Sequence, residues 1–348
     1  MNTALMTTLT NAHGPSGRED EVRSVIYHEL KNYVDDIQFD GLGSVIARLN
    51  NQATGPKVAV IAHMDEVGFL IQHITSDGYL KLFKLGGIEP YIALNSTVEI
   101  KTRLGNKYQG IIFTDKSLTN LSMDDLFVDI GAANLQDVLA MGIEIGDSAV
   151  FATRAHELNN SGNFVSKSFD DRIGCLLGME LLQNLAQQPL DCDLYFIGSA
   201  QEEVGTKGGK TATDKLRPDV VIVLDVASTK HTPSSQSGRR VYGKGPCLVV
   251  ADKCALAHYP LFNYVSDVAR ENNIDVQRDF LAGGGTDNGS ATLVGEGIAG
   301  MAIILPVKNC HSPYTLVNKA DYEACLSLLE NTVKGLNAER LASFYHYL

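Results

Sequence analysis

Two histidines and several carboxylates follow directly on apolar runs that lie far apart in the chain. His63 and Asp65 come after KVAVIA (57–62), and Glu202 and Glu203 come after DLYFIGSA (193–200). Asp225 closes the run VVIVLD, and His311 comes shortly after MAIILPV (301–307). Short Val- and Ile-rich runs of this kind read as buried strands. In open α/β sheets, ligands bind beyond the carboxyl ends of the strands, so these side chains can converge on one cleft. Asp170 and Asp171, at the start of an amphipathic stretch, can join them, although an Asp pair there also serves to cap a helix and offset its dipole. Two imidazoles with several carboxylates form a donor set suited to zinc, cobalt or manganese rather than to an iron–sulfur cluster. The set exceeds what one tetrahedral zinc ion takes, so it suits a pair of ions sharing a bridging carboxylate. In the Glu202-Glu203 doublet, one carboxylate can bind metal while its neighbour takes a proton from water and passes it to a leaving amine.

The elements that must carry these residues show two rhythms. Ser16 and Glu19 have capping-box spacing, and Val22, Ile26, Leu30 and Tyr33 fall on one stripe, which predicts a helix over 19–34. IQFDGLGSVIARL reads as strand, turn and strand, with Asp40-Gly41 as the turn. From about Glu66 to Glu157 the chain is made of short alternating runs punctuated by glycine (FLIQHI, YLKLFKL, STVEIKTR, YQGIIF, LFVDIGA, DSAVFAT), with one helical stretch near 135–141. That composition predicts a small β-rich barrel or sandwich. After Phe164, helices over 171–185, 260–272 and 319–336 alternate with strands. The expected fold is therefore α/β, a mostly parallel central sheet flanked by helices, formed by 1–66 and 158–348. Residues 67–157 are expected to form the inserted β-rich domain.

The bulk properties exclude several classes of partner. The chain has 348 residues, with 29 lysines and arginines against 41 acidic residues and a net charge of −12. Such a charge repels nucleic acid and anionic lipid, so neither is an expected partner. MNTALMTTLTNAHGPSG (1–17) lacks the basic and apolar segments of a signal peptide, and no apolar run approaches the roughly 20 residues of a membrane span. The six cysteines are scattered without a CxxC pair, which suggests reduced thiols and a cytoplasmic location.

Several segments together resemble one family. AHMDEVGF (62–69), SFDDRIG (168–174), SAQEEVGTKGG (199–209), VLDVA (223–227), GGGTDNGS (283–290) and CHSP (310–313) are similar to signature segments of the M42 metallo-aminopeptidases. This is the glutamyl and tetrahedral aminopeptidase group of the zinc-exopeptidase clan. The resemblance extends from HGPSG (13–17) to the last helix. It implies two divalent metal ions per subunit, zinc or cobalt, with manganese as a further candidate. It implies that His63 and Asp225 bind one ion, that Glu203 and His311 bind the other, and that Asp170 bridges them. Asp65 would brace the other ring nitrogen of His63, Glu202 would act as general base on a metal-bound water, and the Asp170-Asp171 peptide bond would be cis. The β-rich insert would be a dimerisation domain, with dimers assembling into a dodecamer.

The expected activity is hydrolysis of the N-terminal residue of short peptides. A metal-dependent deacylase or dipeptidase on the same scaffold is the alternative, and a non-catalytic peptide-binding assembly protein is a third reading. A cellulase, a label some relatives carry, is not supported, because a glycosidase needs two carboxylates flanking a sugar rather than a cluster with histidines. The stretch VKNCH (307–311) stands where many relatives carry an arginine and an aromatic residue, a difference that bears on substrate preference. Cys310 is read as a packing residue, with a soft competing metal ligand as the alternative, and His13, His73, His156, His231 and His258 are left outside the site.

Overall fold

The computed structural model describes residues 1–49, 55–235 and 238–346. Among these residues, eight strands form one sheet in the order 34–39, 45–49, 193–199, 57–63, 220–228, 299–307, 247–252 and 277–281. The strands Asp193–Ser199, Lys57–His63, Val220–Ser228 and Ala299–Val307 run parallel to one another. Parallel strands need cover on both faces, and the period of two in a strand supplies apolar residues to each. Val58, Val60 and Ala62 face the larger core, with helices Thr3–Asn11, Asp20–Leu30, Phe169–Leu185, Tyr259–Glu271 and Lys319–Lys334. Ala59 and Ile61 face a second core with Ala212 of helix Lys207–Leu216 and Ala291 of helix Asn288–Ala291. The expectation of a mostly parallel sheet holds at the centre, whereas the joints to 45–49 and 247–252 are antiparallel.

The glycine-punctuated block closes on itself. Strands Gly68–Ile74, Leu80–Leu85, Thr97–Lys101, Lys107–Phe113, Phe127–Asp129 and Ser148–Phe151 form a barrel around their own apolar core, which includes Phe69, Leu82, Ile100, Ile112 and Phe151. Closure leaves no unpaired strand edge, so short strands suffice. The barrel meets the α/β part through polar contacts. Buried His13 has Nδ1 3.3 Å from Glu99 Oε1 and Nε2 2.9 Å from Ser148 Oγ. Lys101 and Lys107 pair with Glu21, and Arg154 Nη1 donates to Asn11 O at 3.1 Å. Among the described residues, no helix is long and apolar enough to cross a membrane.

Several local expectations differ from the fold. The helix expected over 19–34 ends at Leu30, because Val34 instead pairs with Leu49 in the sheet. Tyr33 is correspondingly exposed. Glu19 is the N-cap residue but makes no side-chain cap bond. The turn at Asp40-Gly41 is a longer loop, in which Asp40 Oδ1 accepts from the Leu42 and Ser44 backbone N–H groups and Gly43 takes a φ of 89°. Helices Thr3–Asn11 and Ala338–Phe344 were not anticipated.

Candidate metal centre

His63 is the last residue of strand Lys57–His63, as its apolar run predicts. Asp225 was expected to close its strand but lies inside Val220–Ser228, opposite Ile304. Glu202 and Glu203 occupy the turn after Asp193–Ser199, which begins with Gln201 at a φ of 58°. His311, with a φ of 56°, follows strand Ala299–Val307. Asp170 sits where helix Phe169–Leu185 is kinked: Asp170 and Asp171 have non-helical backbone angles, and the peptide bond between them is cis.

These side chains converge on Asp170. His63 Nε2 lies 2.9 Å from Asp170 Oδ1, and His311 Nε2 lies 3.1 Å from Asp170 Oδ2. Glu203 Oε1 is 3.2 Å from His311 Nε2, and Asp225 Oδ1 is 4.0 Å from His63 Nε2. Each ring is fixed from behind by a carbonyl oxygen, Asp65 O at 3.1 Å for His63 Nδ1 and Gly87 O at 3.1 Å for His311 Nδ1. A carbonyl only accepts, so Nδ1 carries the hydrogen in each neutral ring and Nε2 presents a lone pair. Both lone pairs then face carboxylate oxygens, and such a pair of acceptors requires a cation between them.

The electrostatics express the same demand. Burial alone would depress His63 and His311. The neighbouring carboxylates together outweigh it, Asp170 first in both, followed by Asp65 for the first and Glu203 for the second. His63 is thereby raised well above its usual value, and His311 is pushed up to about 12. Burial, then the neighbouring carboxylates, raises Glu202, Glu203 and Asp225. Glu203 Oε1 is buried with no hydrogen-bond partner, although it lies 3.2 Å from His311 Nε2. Ligand atoms of His63, Asp170 and Glu203 lie within 4.8 Å of one another, as do those of Asp170, Cys310 and His311. Crowded carboxylates, lone pairs aimed inward and an orphaned buried oxygen fit divalent metal ions.

Supporting residues include several that the sequence reading did not single out. The Asp65 carboxylate is 3.5 Å from His63 Nδ1, farther than the residue's own carbonyl. It also holds the 201–203 turn, accepting from the backbone N–H of Glu202 (2.9 Å) and Glu203 (3.2 Å) and from Ser16 Oγ (2.5 Å). Glu19 Oε1 accepts from Gln201 N at 3.2 Å, so the two presumptive capping residues serve the site. Fully buried Arg172 donates to the carbonyls of Met64, Leu9, Ala12 and Gly14 and to Glu66 Oε1, tying the His63 segment to the chain start. Gly86 and Gly87 come from the barrel: a Cβ at Gly86 would stand 2.9 Å from Glu203 Oε2, and one at Gly87 3.1 Å from His311 Nδ1. Cys310, read as a packing residue, places Sγ 2.8 Å from Asp170 Oδ2. Of the histidines left aside, His73, His156 and His231 are exposed, and His13 joins barrel to core. The GGGTDNGS segment contributes Gly283, Gly284 and Gly285 to the wall of the open cleft, about 720 Å³, that holds the cluster.

Residues 43–328 match the family model described as M42 glutamyl aminopeptidase. FrvX of Escherichia coli (strain K12) is 37% identical over 100% of this chain and 99% of its own length. The TET aminopeptidase from the marine sediment archaeon Thaumarchaeota archaeon SCGC AB-539-E09 superposes with a TM-score of 0.94 at 31% identity, covering 98% of each chain. TET1 peptidase of Pyrococcus horikoshii, which can assemble into a tetrahedron or a large octahedral shell, superposes with a TM-score of 0.85 at 28% identity, over 96% of this chain and 99% of its own.

Proposed function

The chain belongs to the M42 glutamyl aminopeptidase family, and from that premise we propose that it removes the N-terminal residue of short peptides at a centre for two divalent metal ions. The observation that carries this reading is Asp170, which offers one carboxylate oxygen to each of two histidines whose other ring nitrogens are already engaged. His63, Asp225 and Asp170 would hold one ion, and Glu203, His311 and Asp170 the other, with zinc or cobalt as the first candidates and manganese as the next. When bound, such ions polarise the scissile carbonyl and lower the pKa of water.

The remaining work falls to the chain. Glu202, anchored through its backbone N–H to Asp65, takes the proton of the attacking water on its carboxylate and returns it to the leaving amine nitrogen. Its raised proton affinity, due first to burial, suits the acceptor role. The buried acidic cluster attracts a free α-ammonium group, which favours a substrate with an unblocked N-terminus. Gly86 and Gly87 keep the barrel backbone close enough to set the His311 ring.

Assembly is part of the proposal. Residues 67–157 would act as a dimerisation domain within a larger homo-oligomer such as a dodecamer. The Pyrococcus horikoshii relative's shells support this, as do Phe83 and Ile111 of the barrel, which are 54% and 56% exposed.

A panel of aminoacyl-anilides and matched N-acetylated compounds, assayed with zinc, cobalt and manganese, tests the activity. Turnover confined to free amines is expected. Turnover confined to the acylated series would replace this reading with a deacylase.

A further inference from the structure

Cys310 lies on the bend between strands Ala299–Val307 and Thr315–Asn318. In an extended chain, neighbouring side chains point to opposite sides. Here Asn309 and His311 both have a φ of 56°, and the bend is pinned by Cys310 N donating to Ser228 Oγ (3.0 Å) and Thr315 Oγ1 donating to Asn309 O (3.0 Å). Cys310 and His311 consequently reach the same atom: Sγ is 2.8 Å and Nε2 is 3.1 Å from Asp170 Oδ2. Cys310 packs against the edge of the larger core, but its sulfur also meets a carboxylate, which packing does not require. A second observation points to a ligand at the same place. The Glu203 side chain is only 6% exposed, and its Oε1, 3.2 Å from His311 Nε2, has no hydrogen-bond partner.

We propose that Cys310 is itself a metal ligand, so that the ion taken by Asp170, Glu203 and His311 also binds Cys310 Sγ. The inference rests on the metal-centre reading above and adds a sulfur donor to it. On binding, the S–H bond breaks, the proton leaves to solvent and a metal–sulfur bond forms, without any change of oxidation state. A thiolate is a soft donor, so this position favours zinc or cadmium over manganese.

Cobalt(II) added to chelator-stripped full-length protein provides the test, because thiolate ligation gives an intense near-ultraviolet charge-transfer band that oxygen and nitrogen ligands do not. The band is expected in the wild type, unchanged in Cys254→Ser and absent in Cys310→Ser. Cys254 is the control because it also lines the cleft. Zinc affinity should fall at least about tenfold in Cys310→Ser, and manganese affinity much less. If Cys310→Ser does not fold, the wild-type spectrum decides together with that of Cys254→Ser. A cobalt-loaded, peptidase-active wild type without the band overturns the inference and leaves the proposed function standing. A band that survives in Cys310→Ser or vanishes in Cys254→Ser also overturns it. A protein that binds no cobalt and cleaves no peptide overturns both.

Discussion

The backbone carbonyl of Gly87 accepts a hydrogen bond from His311 Nδ1 at 3.1 Å, so a barrel residue orients a candidate ligand on the α/β sheet. Gly87→Ala would place a Cβ 3.1 Å from Nδ1 and 3.4 Å from Cε1 of that ring. Displacing the ring by a few tenths of an ångström is expected to weaken zinc binding and lower peptide turnover, by less than the roughly 10²-fold that a misplacement of about 1 Å costs, with the far-ultraviolet circular dichroism unchanged. Undiminished turnover would mean that the ring has room to move. Deleting 67–157 as a block should likewise cost the site its His311 anchor, in addition to any assembly the barrel supports.

Glu202 and Glu203 are adjacent but should respond differently to the same change. Purified protein is expected to carry up to two divalent ions per chain, and a chelator should abolish turnover reversibly. Glu202→Gln should retain both ions and lose about 10²–10⁴-fold in turnover. Glu203→Gln should lose metal as well as rate. Elemental analysis beside peptide turnover separates the two, and full turnover in Glu202→Gln would remove it as the base.

Arg172 is fully buried, and its guanidinium satisfies four carbonyls and Glu66. Arg172→Met removes five charge-assisted hydrogen bonds at once; Leu9 O, Ala12 O and Gly14 O keep one other donor each, and Glu66 keeps Lys167 as its remaining ion-pair partner. A loss of roughly 3–5 kcal/mol in unfolding free energy is expected. Arg172→Lys keeps the charge but has fewer donors, so it should fall between the two. Urea denaturation of the three proteins is the measurement, and a loss below about 1 kcal/mol for Arg172→Met would show that the network is dispensable.

Acid should loosen the contact between barrel and core. Burial alone would raise Glu99, but His13 and Lys107 outweigh it and bring it down to about 2. Lys101, the His13 backbone N–H and Lys107 do the same for Glu21, also to about 2. Both fall below the ordinary value of 4.5, so the stabilisation is present above that pH and is lost as pH falls towards about 2. Melting temperature at pH 6 and pH 3 should drop more for the wild type than for Glu99→Gln, which cannot titrate there. Equal drops would place the acid sensitivity elsewhere.

What could be read from the sequence alone was local periodicity and residue chemistry. KVAVIA announces a buried strand because its alternate residues fill two opposite cores, and that strand necessarily carries His63 to its end. The glycine-punctuated block announced many short strands, and the family signature segments named the candidate ligands. Local pattern could not decide which distant groups would meet. Ser16 and Glu19 satisfy the spacing of a helix cap, yet Asp65 and the 201–203 turn lie within reach in the folded chain, and hydrogen bonds to them prevail. Gly87 carries no side chain that could advertise a role, and its role is its carbonyl, placed by the closure of the barrel. Cys310 packs against the larger core as its type suggests, but the left-handed positions on either side also turn its sulfur onto Asp170. Strand period and apolar content are written in neighbouring residues, whereas sheet order, barrel closure and side-chain convergence depend on contacts between segments a hundred or more residues apart, which only the folded chain brings within hydrogen-bond distance.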